Sequence, residues 1–173
     1  MDDFPNLKNP FHFLATLGGI GNISFAPGTF GSIFSWLIFI FLSHFVNMLY
    51  VTFIGIFLSI WICEKASKNL IHKDHRSIVI DELIGIWIAL LPVLYLADTQ
   101  KERIIYAIAA LLFFRIFDIF KPFPVSYFDD NFKNGTGIVI DDLIAGVMAI
   151  IPSYIILTLL VKSLFYLQII QHH

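Results

Sequence analysis

Between Lys8 and Glu64 the chain carries no Asp, Glu, Lys or Arg. That stretch is too long for one buried helix, and it suits two membrane crossings of roughly 20 residues each. The composition agrees: 58% of residues are hydrophobic, 14% are charged and the mean hydropathy is +0.82. An ordinary soluble domain has roughly 25% charged residues. A chain of 173 residues is one domain by length, here residues 1–173. The expected fold is all-α, a multi-span helical membrane protein with about four to five apolar helices and polar loops that hold the chemistry.

The same composition excludes several classes. The net charge is −2 and no basic block is present, so nucleic acid is not an expected partner. Cys63 is the sole cysteine, which rules out an internal disulfide. Met1-Asp2-Asp3 lacks the basic start of a secretory signal peptide, so insertion is expected to rely on the spans themselves. His172-His173 resembles a tag remnant and carries no part of the argument.

Turn chemistry divides the apolar sequence. Gly18-Gly19-Ile20-Gly21 and Ala26-Pro27-Gly28-Thr29-Phe30-Gly31 read as loops, since Gly permits positive φ and Pro fixes φ. From Ser32 to Cys63 the chain is apolar, and Asn47 is the best turn dividing it into two short spans. One long tilted span with an interfacial segment is the alternative. Further spans are expected from Leu83 to Ala97, from Ile104 to a stop at Lys121-Pro122-Phe123-Pro124, and from Leu143 to Val161. Residues 125–140 read as a polar loop. The 64–76 loop is rich in Lys and Arg, whereas the 98–103 loop is balanced, so the former is expected in the cytoplasm. The Pro27-Gly28-Thr29, 64–82 and 118–142 loops then share the cytoplasmic side.

An internal repeat carries the chemistry. Ile78-Val79-Ile80-Asp81-Glu82-Leu83-Ile84-Gly85 recurs as Ile138-Val139-Ile140-Asp141-Asp142-Leu143-Ile144-Ala145, at an offset of 60 residues with six of eight positions identical. Two crossings between the copies return the second pair of acids to the side of the first. Carboxylates at a helix N-terminus gain about 0.3–1 kcal/mol each from the macrodipole, which accounts for one acid per helix. Four acids set directly against apolar runs carry a heavy desolvation cost, which a shared cation would offset. Oxygen-only ligands select a hard ion such as Mg2+, often completed by substrate phosphate.

Arg115, Asp118 and Lys121 are spaced three apart and fall near one face of a helix end. A local Arg115–Asp118 salt bridge with Lys121 reaching the headgroups is one reading. The other makes Asp118 a fifth metal ligand and gives Arg115 and Lys121 to a phosphate, Arg as a fork and Lys as a point charge. Asn134-Gly135-Thr136-Gly137 reads as a loop whose amides can approach an anion, and Thr29 stands in a similar loop. His72 and His75 flank Asp74, where a proton shuttle and a solvated loop are both open readings. No Cys precedes an Arg at the spacing of cysteine phosphatases, and no Asp-x-Asp nucleophile motif occurs. Attack by metal-activated water is therefore favoured over a covalent intermediate.

These blocks, together with Ala26-Pro27-Gly28-Thr29-Phe30-Gly31-Ser32, Phe114-Arg115-Ile116-Phe117-Asp118-Ile119-Phe120-Lys121-Pro122-Phe123-Pro124 and Gly135-Thr136-Gly137, closely resemble the phosphatidylglycerophosphatase A family, in the family's order, from about Asn9 to Gly146. The resemblance implies Mg2+-dependent hydrolysis of phosphatidylglycerophosphate to phosphatidylglycerol and phosphate, in the inner membrane of a Gram-negative bacterium. It implies Asp81, Glu82, Asp118, Asp141 and Asp142 as the acidic centre, with Arg115 and Lys121 on phosphate. Asn134-Gly135 departs from the family's frequent Gly-Gly. A divalent-cation transporter is the rival reading, because repeated intramembrane acids also suit ion coordination. A non-catalytic scaffold leaves the repeated acidic pairs without a purpose.

Overall fold

Asn47 does divide the long uncharged stretch. In a computed structural model its side chain accepts the Leu49 amide at 3.0 Å, the bond expected of an N-cap. The structure describes residues 4–70, 75–132 and 134–171, with side chains through Val161 in the last segment. Every regular element among them is helical. They are α1 (Pro10–Ala15), a 3-10 turn (Ile20–Asn22), α2 (Pro27–Leu42), α3 (Met48–Ala66), α4 (Ile80–Leu90), α5 (Val93–Leu96), α6 (Gln100–Phe120), α7 (Val125–Asn131) and α8 (Gly135–Gln171).

Two of these helices are long and apolar enough to cross a membrane, α3 and the Gly135–Val161 part of α8. At 16 residues, α2 is apolar but only about 24 Å long. The expected third span from Leu83 to Ala97 is shorter than that: α4 ends at Leu90 and Leu91-Pro92 separates it from the single turn of α5. Its 11 residues cannot span the hydrocarbon alone. α6 begins earlier than expected, at Gln100, because Thr99 and Glu102 form a reciprocal capping box. Residues 125–140 are largely helical, in α7 and the start of α8, where a polar loop was expected.

α8 is the spine, packed most extensively on α6 and α4, with α3 and α7 also against it. The crossing with α4 is set by glycine. A Cβ on Gly146 would run into the Gly85 carbonyl, and one on Gly85 would sit 2.5 Å from Phe114 and 2.8 Å from the Asp142 carbonyl. Gly146→Ala is therefore expected to destabilise the protein by about 1–3 kcal/mol, as overpacking does. A lower thermal midpoint in detergent would show it, and an unchanged midpoint would argue against so tight a crossing.

Outside this core the helices display apolar side chains. Tyr50, Phe53, Phe57 and Trp61 line one face of α3 and are all more than half exposed. Contiguous apolar surface on this scale marks an interaction surface.

Candidate active site

The two copies of the repeat start differently. Asp81 and Glu82 occupy the first turn of α4. Asp141 and Asp142 lie well inside α8, which begins at Gly135. The macrodipole effect fades within the first turn, so capping does not account for the second pair. Asp81, Glu82, Asp141 and Asp142 are 8, 9, 6 and 4% exposed, which makes their shared desolvation a cost the fold must offset.

Part of the offset comes from α6. Arg115 ion-pairs with Asp118 three residues on, and its Nη1 also donates to Glu82 Oε1 at 3.4 Å and Ser32 Oγ at 3.3 Å. Nη2 reaches Thr29 Oγ1 at 3.5 Å, and Nε is buried without a hydrogen-bond partner. One guanidinium thus joins α2, α4 and α6. The start of α2 fits closely because Gly28 and Gly31, three apart and on one face, present no side chain to Glu82. A Cβ at Gly31 would lie 2.5 Å from Glu82 Oε2, and one at Gly28 would overlap Oε1. Ala26, at φ 51, turns the chain into Pro27 at the helix start.

The second cation ends α6. Lys121 caps the helix in the left-handed conformation, at φ 42. Its Nζ donates to Asp129 on α7 at 2.5 Å and to Asp141 on α8 at 2.8 Å. Burial pushes the ammonium pKa down, but the bonds and charges of Asp129 and Asp141 outweigh it and hold it above the ordinary lysine value. A lysine raised in this way contributes its full stability below its unfolded pKa and loses it only as pH rises through the folded value. An alkaline loss of activity below about pH 10 therefore does not come from Lys121.

A cleft of about 340 Å³ collects these groups. Thr29, Asp81, Glu82, Arg115, Asp118, Lys121, Asp141 and Asp142 all line it, so the three loops expected on one side do meet. Gly135 and Gly137 are not among its lining residues. Their expected anion-binding loop is the first turn of α8. The Gly135 amide donates to Glu64 at 2.9 Å and the Gly137 amide to Asn134 at 2.9 Å. Both glycines serve close approach: a Cβ on Gly135 would be 2.5 Å from the Glu64 amide, and one on Gly137 would overlap the Phe132 carbonyl. His75 accepts the Ser77 amide and packs edge-on against Phe4, away from the cleft lining. His72 and Asp74 lie outside the described residues. Sequence reasoning missed Asp129, Ser32 and Arg76. Asp129 was visible only as an acid in a loop, and Arg76 only as one more basic charge.

The donor set suits a hard divalent cation. Five carboxylates and three cations line the cleft, leaving an excess of two negative charges. Asp142 Oδ2 is buried without a hydrogen-bond partner. Among the described residues no group of three acidic, His or Cys side chains is placed to hold a metal ion. Mg2+ does not require one, because it keeps several waters and takes one or two carboxylates with substrate phosphate.

A family model described as phosphatidylglycerophosphatase A matches residues 13–157. The chain is 37% identical over 154 residues to phosphatidylglycerophosphatase A of Haemophilus influenzae, covering 87% of this chain and 91% of that one. It is 38% identical over 146 residues to phosphatidylglycerophosphatase A of Escherichia coli, covering 83% and 81%. A Bacteroides thetaiotaomicron protein, named provisionally as a phosphatidylinositol-3-phosphatase, is 36% identical over 155 residues, covering 84% and 94%. No solved structure matches the chain. With a match over most of its length and the family's acidic and basic blocks gathered on one cleft, the chain belongs to the phosphatidylglycerophosphatase A family.

Proposed function

We propose that this protein is a lipid phosphatase that hydrolyses the terminal phosphomonoester of phosphatidylglycerophosphate, yielding phosphatidylglycerol and inorganic phosphate, with Mg2+ as its cofactor. Family membership supports the reaction. The observation that carries it is the convergence of both acidic pairs with Arg115 and Lys121 on one cleft. A pair of cations flanked by buried acids suits a dianionic phosphate whose charge shifts during transfer.

Each residue then has a task. The carboxylates and Thr29 hold the Arg115 guanidinium in place, so that it offers phosphate a positive charge at a fixed position. Lys121 supplies a point charge held in place from both sides. The amides at the start of α2, beside Thr29, favour an anion there. Ile78, Ile119 and Ile138 give the cleft apolar wall, which limits water and strengthens these interactions. Asp142 would be the first choice to hold Mg2+, with Asp81, Glu82, Asp118 and Asp141 as the acids from which a second carboxylate would come. When bound, the ion neutralises the excess charge and polarises the phosphoryl group.

The setting is a membrane. α3 and α8 are long enough to cross, and α2, α4 and α6 complete a bundle of four to five apolar helices. Lys65 and Lys68 at the end of α3, with Arg76 on the cleft, put the basic residues on the active-site side, which favours a cytoplasmic site in a bacterial inner membrane. The acyl chains would remain in the bilayer while the terminal phosphate enters the cleft.

Phosphate release by purified protein from phosphatidylglycerophosphate, with Mg2+ and with chelator, tests the proposal. Release that depends on Mg2+ is expected. No release by folded protein would sink the phosphatase reading, and release that persists in chelator would remove Mg2+ from it.

A further inference from the structure

Three cations line the cleft, and they differ in how they are engaged. Arg115 and Lys121 are each held by two carboxylates. Arg76 is exposed, and no hydrogen bond or ion pair to a described residue engages it. Five carboxylates line the same cleft, yet none pairs with this guanidinium, which places its charge at the rim.

Its backbone is fixed even though no described residue engages its side chain. Arg76 follows His75 in a turn closed by the Ile78 amide on the His75 carbonyl at 2.7 Å. The His75 ring accepts the Ser77 amide at 3.2 Å, and the Val79 amide donates to the Ala15 carbonyl at 2.9 Å. Gly21 lets the Ser77 carbonyl approach so closely that a Cβ there would overlap it. The described residues thus anchor the base of Arg76 and leave its guanidinium exposed at the cleft.

We infer that Arg76 is a second anion subsite, for the phosphodiester that joins the substrate's headgroup to its diacylglycerol, and that it makes the enzyme selective for lipids carrying both a diester and a terminal monoester. The inference rests on the phosphatase reading above. With the monoester seated against Arg115 and Lys121, a substrate of this kind carries one more negative group, a glycerol unit away and nearer the bilayer. A rim guanidinium that no described residue engages is the complementary charge, and its forked donors suit a phosphate's oxygens. Phosphatidic acid, whose only phosphate is the monoester, gains nothing from it.

The test compares wild type with Arg76→Ala, Arg76→Gln and Arg76→Lys as full-length protein in mixed micelles with Mg2+. It reads kcat and KM for phosphatidylglycerophosphate, the inhibition constant of inorganic phosphate, which fills only the monoester seat, and kcat/KM for phosphatidic acid. Arg76→Ala and Arg76→Gln are expected to lower kcat/KM for phosphatidylglycerophosphate about ten-fold, chiefly through KM, on the scale of one charge-assisted contact. The phosphate inhibition constant shifts less than about two-fold, and selectivity over phosphatidic acid falls in step with the KM change. Arg76→Lys, which keeps the charge, recovers part of the loss. An unchanged KM overturns the inference. So does a parallel loss on phosphatidic acid or a parallel change in the phosphate inhibition constant, either of which would make Arg76 a general surface charge. Wild-type protein that releases no phosphate from phosphatidylglycerophosphate would instead overturn the phosphatase reading, and this inference with it.

Discussion

Asp142→Asn is expected to lower kcat about a thousand-fold, the upper scale of losing one electrostatic contact to developing charge, and at the same time to make the metal-free protein more stable. The two effects have one cause. Asp142 is 4% exposed, lies in a cleft with four other carboxylates, and has an Oδ2 with no hydrogen-bond partner. A buried group left in that condition costs roughly 1–3 kcal/mol, more when charged. Asn removes the charge, keeps the shape and brings an amide that can donate to the neighbouring acids. In chelator, the thermal midpoint of the variant should therefore exceed that of wild type. Added Mg2+ should raise the wild-type midpoint by mass action and the variant's much less, which narrows or reverses the order. Were Asp142 only a helix-end charge, the substitution would lower stability slightly and spare turnover. A variant that is less stable in chelator and still active would remove Asp142 from the metal site.

The acids themselves were legible because the repeat is a pattern of residue types, and pattern survives without coordinates. Asn47 was legible for a similar reason, since an N-cap residue acts on its own helix. Proline shows where such local rules stop. Pro92 lies between α4 and α5, directly before α5, whereas Pro152 sits inside α8 and the helix runs on. Both lack the amide, and the packing around each decides the outcome. Gly135 and Gly137 misled for the opposite reason. Read as a loop whose amides can approach an anion, they form a tightly packed helix start, pressed on the Glu64 and Phe132 backbones. The clue was Asn134, which accepts the Gly137 amide as a cap would. Asp129 gave no periodic signal, because it reaches Lys121 over the turn at Pro122 and Pro124 through tertiary folding alone. Of the four to five apolar helices expected, two are long enough to cross on length and composition, and α4 is a short helix whose apolar faces meet protein on most sides.

Arg115 separates chemistry from architecture most sharply. Arg115→Lys is expected to retain the fold and lose about a hundred-fold or more in kcat/KM, because lysine keeps one charge but not the fork. A single ammonium can satisfy Asp118 or approach Glu82, but it cannot also address Ser32 and Thr29. Arg115→Met goes further. It removes the counter-charge of Glu82 and Asp118, whose side chains are 12 and 16% exposed. Breaking a largely buried pair on one side costs about 3–5 kcal/mol. The Met variant should therefore show a lowered thermal midpoint together with lost activity, while the Lys variant keeps its midpoint and loses activity alone. Adding Glu82→Gln to Arg115→Met should restore part of the stability, since it removes a stranded charge, and none of the turnover. Recovery of turnover in that double variant, or full activity in Arg115→Lys, would reduce Arg115 to a structural counter-ion and leave the monoester to Lys121.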